Sequence, residues 1–232
     1  MSNIKYTLNR SKKLLGNINL KVKNGEVSVS APFWVSLSVI ENFLESKRDW
    51  IIRALSRQEV VTVPKSYTDG EKHLLYGNQI PLVIKKTKTL SQTTVSFDTQ
   101  NLTLNIFDGF TDHFYTKEVE KALTSFYLQE LSFYLTEKVN HYTKLLGVDY
   151  SKIEIKKVSS IWGSCSPQKV LSFNRKLIQS PKEIIDYVVI HEVCHLKEAN
   201  HSSRFWAQVS KLDKDFKNHR RWLHQNGVKL DI

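Results

Sequence analysis

The run Tyr187-Val-Val-Ile-His191-Glu192-Val-Cys-His195-Leu constrains this chain more than any other stretch. It is apolar on nearly every side, yet it carries two histidines and a carboxylate in the pattern H-E-x-x-H. At 3.6 residues per turn, positions four apart are only about 40° from alignment, so a helix here points both imidazoles at one ion. Glu192 lies about 100° round from His191, where a carboxylate can take a proton from metal-activated water without itself ligating the ion. The flanks Ile184, Ile185, Val188, Val189, Val193 and Leu196 make the helix a buried one. A buried His-Glu-His face with no ion would hold several polar groups unpaired in the core. The pattern therefore predicts a metal site with His191 and His195 as ligands.

A catalytic zinc takes three protein ligands and leaves the fourth position open. His201, six residues past His195, would be about 120° off the ligand face if the helix continued, so the chain must turn before it. Asn200, which tolerates a left-handed backbone, is the expected place for that turn. Glu198, seven residues from His191, is only about 20° off alignment and could ligate without any turn. Asp213 or Asp215 could act as a remote carboxylate ligand. The spacing favours His201 and leaves the others open. Three imidazoles suit one Zn2+, although the same set accepts cobalt, nickel or iron. The expected chemistry is hydrolysis by metal-activated water, with Glu192 as general base and then general acid. Tyr187, His219, Arg220 and His224 are candidates for stabilising an oxyanion, each with a simpler structural reading. Cys194, some 300° from His191, reads as core packing. Cys165 could be a nucleophile, but a thiolate beside zinc would bind the ion instead.

Two cysteines in 232 residues cannot form a disulfide framework, and no stretch has the roughly 18 apolar residues of a membrane span. With no apolar leader at the N-terminus, the expectation is a soluble cytoplasmic protein with no membrane partner. The net charge of +11 raises the odds of a polyanionic partner. That excess is spread as +5 over residues 1–112 and +6 over 113–232, and Lys85-Lys86-Thr-Lys88 and His219-Arg220-Arg221 are short. A nucleic-acid partner is thus left open with no motif to support it. The oligomeric state is not legible.

Periodicity changes along the chain. Ile4 to Ala31 alternates, with Asn24-Gly25 as a hairpin turn. Leu37 to Leu55 has helical spacing, with Ser36 or Ser38 as caps and Trp50 as a core residue. From Thr62 to Phe107 strand patterns return, turning at Tyr76-Gly77-Asn78 and at Gln100-Asn101. A long helix is predicted from Thr116 to Leu146, stopped by Gly147. Strands follow at Ile153–Val158 and Val170–Asn174, around a tight Trp162–Pro167 loop. The motif helix opens near Pro181, with Ser180 as N-cap and Glu183 completing a capping box. Ser202 or Ser203 caps a further helix, and a last one spans Asp215 to Asn226. The edge of Val170–Asn174 is expected to run beside the metal and pair with an extended peptide. Two parts are expected: 1–112, β-rich with one helix near 37–55, and 113–232, which carries the site.

Residues 159–206 resemble the YgjP-like family of zinc metallopeptidases, which is similar to the SprT/Spartan and Wss1-type groups. The resemblance rests on W-G-S-C-S at Trp162 to Ser166, L-S-F-N-R at Leu171 to Arg175, Y-V-V-I-H-E-V-C-H-L at Tyr187 to Leu196 and N-H-S-x-x-F-W at Asn200 to Trp206. It continues more loosely through Ile40-Glu-x-Phe43 and Lys47-x-x-Trp50-Ile51. It implies an α+β, zincin-like metallopeptidase domain with a long backbone helix, a short antiparallel sheet and an H-E-x-x-H helix, preceded by a β-rich portion. It also implies His191, His195 and His201 as ligands of one Zn2+ and Glu192 as catalytic acid/base; a peptide or protein substrate is an inference from the site, because such families are named by motif. Two other readings remain: a metal-dependent nucleotide phosphohydrolase, disfavoured by the lack of a Gly-rich phosphate loop, and a DNA-associated metalloprotein.

Overall fold

The computed structural model describes residues 4–11, 14, 16–23, 25–58, 66–89, 92–158 and 161–231, and the chain divides into two compact units, Met1–Val63 and Pro64–Ile232. In the first unit β1 (Tyr6–Ser11) runs parallel to β3 (Glu26–Pro32), which pairs antiparallel with β2 (Asn19–Lys23). Lys23 faces Glu26 across the expected hairpin, and Gly25 supplies the left-handed backbone at φ 77°; Asn24 lies outside the described residues. Alternation buries Val27, Val29 and Ala31 against Ile40, Leu44 and Ile51.

Instead of one helix over 37–55 there are two, α1 (Leu37–Ser46) and α2 (Arg48–Gln58). The Ser36 hydroxyl accepts the Val39 N–H at the start of α1, as its capping role predicts. Lys47 breaks the run at φ −107°, ψ 7°, with neither Pro nor Gly beside it to announce the break. Trp50 is exposed rather than in the core. The residue turned inward on α2 is Ile51, which places Trp50 about 100° away from it.

The second unit opens with strands β4 (Lys72–Leu75), β5 (Asn78–Thr87), β6 (Thr94–Phe97) and β7 (Leu102–Phe107), in the order β4-β5-β7-β6. Tyr76 (φ 50°) and Gly77 (φ 81°) are both left-handed between β4 and β5, the backbone of a two-residue hairpin turn. Between β6 and β7 the Asp98 carboxylate accepts the N–H groups of Gln100 and Asn101. Helix α3 (Asp112–Leu146) begins one turn before the expected Thr116 and ends at Gly147, φ 63°. Its face Val119, Leu123, Tyr127, Leu131, Leu135 and Val139 shares one core with Leu82, Leu102 and Leu104 of the sheet. The boundary between compact units therefore falls at 63/64 rather than 112/113, and the strands of 72–107 belong with the helices that follow them.

A second sheet holds β8 (Lys152–Lys156), β9 (Gly163–Cys165) and β10 (Val170–Asn174) in the order β8-β10-β9. It is mixed rather than purely antiparallel. β10 lies between the other two, parallel to β8 and antiparallel to β9, which forms an edge. The strand expected at the edge, Val170–Asn174, is thus the central one. A 3-10 turn (Arg175–Gln179) leads to α4 (Lys182–His195), followed by α5 (Ser203–Leu212) and α6 (Phe216–Asn226). Pro181 occupies the N-cap itself, and Ser180 does not cap: its buried hydroxyl donates to the Leu177 carbonyl. Ser202 does cap α5, accepting the Phe205 N–H. Among the described residues no helix is long and apolar enough to cross a membrane.

Candidate metal centre

Helix α4 is buried almost all the way round, from Ile184 to Cys194. His191 and His195 leave it on one face, with ring centroids 5.0 Å apart. The helix stops at His195, and Leu196 is a right-handed C-cap. The turn toward His201 therefore comes four residues before Asn200, which is not left-handed. The outcome is nonetheless the expected one: His201 swings back to 4.9 Å from His191 and 4.7 Å from His195, centroid to centroid. One ring nitrogen of each lies within 4.8 Å of the others, the single such cluster of histidine, cysteine or acidic groups among the described residues.

The donor set fits a metal ion. The Nε2 atoms of His191 and His201 face each other at 2.9 Å. Burial first, and then the neighbouring His195 and His201, push the pKa of His191 down to about 3, so it stays neutral with its lone pair free. His195 Nδ1 sits 3.0 Å from the Glu198 carbonyl; as donor there it leaves Nε2 for an ion. Glu198 contributes this backbone oxygen and not its carboxylate, which pairs with Arg204 at 3.5 Å. Asp213 is engaged with His219 Nδ1 at 2.8 Å, and Asp215 accepts from Asn218. None of these three acids joins the cluster.

Beneath the imidazoles lies the fully buried ring of Phe205, with centroids 4.9, 4.5 and 4.8 Å from His191, His195 and His201. Trp206 stacks on the exposed His201 ring at 5.7 Å and is itself backed by Phe216 at 5.4 Å. Sequence reasoning missed this backing; its signal was the Phe-Trp pair at the start of an amphipathic helix just past His201. Also missed was Gly163. A Cβ there would stand 2.5 Å from Glu192 Oε1, so only glycine lets edge strand β9 lie against the carboxylate. Glu192 is 5% exposed, and burial raises its pKa to about 8. Cys194 is buried core, its thiol pushed up to about 12. Burial and then the Glu192 charge raise the half-buried Cys165 thiol, the opposite of what a nucleophile needs.

A helix offering H-E-x-x-H and a following loop returning a third histidine define the metallopeptidase class of site. The chain belongs to the YgjP-like family, whose metallopeptidase domain matches residues 16–226. Family and site agree on a metallopeptidase, and neither favours the nucleotide phosphohydrolase reading. Among solved structures, the metallopeptidase zymogen abylysin of Pyrococcus abyssi is 22% identical with a TM-score of 0.36, covering 39% of this chain and 93% of its own. The zymogen of jannalysin from Methanocaldococcus jannaschii is 23% identical with a TM-score of 0.36, covering 39% of this chain and 94% of its own. A comparison with curated proteins finds no match.

Proposed function

We propose that the protein is a zinc-dependent peptidase in which His191, His195 and His201 hold one Zn2+ and Glu192 serves as general base and then acid. The observation that carries this reading is the convergence of three imidazole nitrogens within 4.8 Å, with a buried carboxylate on the helix that bears two of them. What the ion supplies when bound is Lewis acidity, lowering the pKa of a water from near 16 toward about 7 and polarising the attacked carbonyl. Glu192 accepts the proton of the attacking water and returns it to the leaving amine nitrogen. A dication beside it lowers its pKa from the raised metal-free value, into the range where a base is useful.

Substrate positioning is supported by β9. It is the edge of its sheet and meets Glu192 through Gly163, so its unpaired main-chain groups can align an extended peptide beside the carboxylate. Both cysteines are free thiols, which fits a reducing compartment such as the cytoplasm. Metal analysis is expected to find one zinc per chain in the wild type and in Glu198→Ala, and none in His201→Ala. A broad panel of peptides and unfolded proteins should be cut by the wild type and left intact by zinc-loaded Glu192→Gln. If the folded, zinc-loaded wild type leaves that panel uncut, the peptidase reading fails.

A further inference from the structure

Beside the three histidines a cavity of about 350 Å³ opens, and His191 and Glu192 form one of its walls. Trp162 from the segment before β9, Val188 from α4 and Leu223 from α6 make its body apolar. Its shape depends on a second close contact: a Cβ on Gly227 would stand 2.4 Å from the Trp162 ring, so the glycine after α6 fixes where that indole sits. Arg220 is the only lysine or arginine in the lining. Its guanidinium carbon lies 5.4 Å from the centroid of the Trp206 ring, and among the described residues it forms no ion pair. Its charge reaches both Tyr187 and His191.

We propose that this cavity selects the substrate: it takes a bulky apolar side chain on a residue flanking the cleaved bond, and Arg220 rejects lysine and arginine there. The inference rests on the peptidase reading and gives it a substrate class. The cavity shares His191 and Glu192 with the candidate site, so a side chain that fills it belongs to a residue held at the reacting carbonyl. Pockets of this size and lining gain specificity from apolar contact, about 10–200-fold for each well-buried methylene. A guanidinium carries a full positive charge and five donors with no acceptor, so it repels a basic side chain and offers it no hydrogen bond.

The test uses the full chain, zinc-loaded. Peptides identical except for Phe, Leu, Ala, Glu or Lys at each flanking position are cut by the wild type, and their binding to Glu192→Gln is measured by calorimetry. The expected result at one flanking position is at least tenfold preference for Phe or Leu over Ala and over Lys, in both cleavage and binding. Leu223→Trp, which fills the cavity, should move the preference to Ala. Arg220→Glu should raise kcat/KM for the Lys peptide at least tenfold relative to the Phe peptide, with zinc content unchanged. Cleavage without side-chain preference, or a preference that survives both variants, overturns the pocket while leaving the peptidase reading intact. Selective binding without any cleavage by the wild type leaves the pocket standing and sinks the peptidase reading.

Discussion

Glu192 shows what it means to place a carboxyl group inside an apolar helix. Its unfolded pKa of 4.5 rises to about 8 in the metal-free fold. A group whose pKa is raised on folding adds stability that is complete below its unfolded pKa and is lost as pH climbs through the folded one. His191 runs the other way: its pKa falls from 6.5 to about 3, so its share is present above 6.5 and lost as pH falls toward 3. The two oppose each other between about pH 4.5 and 6.5, and above 6.5 the Glu192 loss acts alone. From pH 6.5 to 8 this amounts to about 2 kcal/mol at 1.36 kcal/mol per pH unit, or about 4–8 °C in Tm for a unit of this size. Thermal scans of metal-free wild type and Glu192→Gln should therefore diverge over that interval, with only the wild type declining. Parallel curves would show that Glu192 is not held protonated. Gly163 makes a second residue-scale prediction. Gly163→Ala sets a methyl group 2.5 Å from Glu192 Oε1, which the carboxylate can escape only by moving. Peptidase turnover should fall by about a hundredfold, the cost of roughly an ångström of misplacement. Zinc content should be unchanged, because no ligand is touched.

Helices α4 and α5 form the element-scale unit of the site, and Phe205 joins them. Truncating this fully buried ring to alanine should cost about 3–5 kcal/mol. Because the ring touches all three imidazoles, zinc affinity should drop as well, and Phe205→Leu should recover most of both. Zinc titration in competition with a chelator, alongside denaturant melts, tests this; stability lost with affinity intact would mean that the ring supports the fold without ordering the ligands. These elements also mark how far the sequence could be read. Long periodic stretches were legible: the α3 face, the α4 motif and the glycine that ends α3 follow from spacing and turn chemistry alone. That the chain must turn for His201 to join the other two histidines was legible as an angle, since six residues on a continuing helix cannot return to their face. Where the helix gives way was not, because Leu196 ends it through an ordinary right-handed cap with no glycine or proline to signal it. Trp50 was misread for the same reason, after an unannounced break at Lys47. The order β8-β10-β9 was hidden because β9 is only three residues, Gly163–Cys165, inside what reads as a tight loop, with no alternating pattern to mark it as a strand.

At the scale of the whole molecule, the sheet of 72–107 has no chemistry of its own and yet stands under the site. Leu82, Leu102, Leu104 and Ile106 are fully buried against the same core as Leu131, Leu135 and Val189, and Val189 belongs to the helix that carries His191. The first unit has a separate core around Val29, Ile40 and Ile51. Burying leucine-sized side chains is worth about 1.5–3 kcal/mol each, so exposing the α3 face by deleting the sheet removes an amount comparable to a domain's whole net stability. Two fragments should then behave differently. Residues 64–232 keep the whole second core and should melt cooperatively, bind one zinc and retain the peptidase activity per mole of zinc within a few fold. Residues 113–232 keep every expected ligand and Glu192 but lose the partners of Val119, Leu123 and Leu131, and should be largely unfolded or aggregated at 25 °C whether or not zinc is present. Circular dichroism melts with and without zinc distinguish the cases. A well-folded, zinc-binding 113–232 fragment would show that the ligands and the long helix suffice, and that the sheet is an accessory to the site rather than part of its foundation.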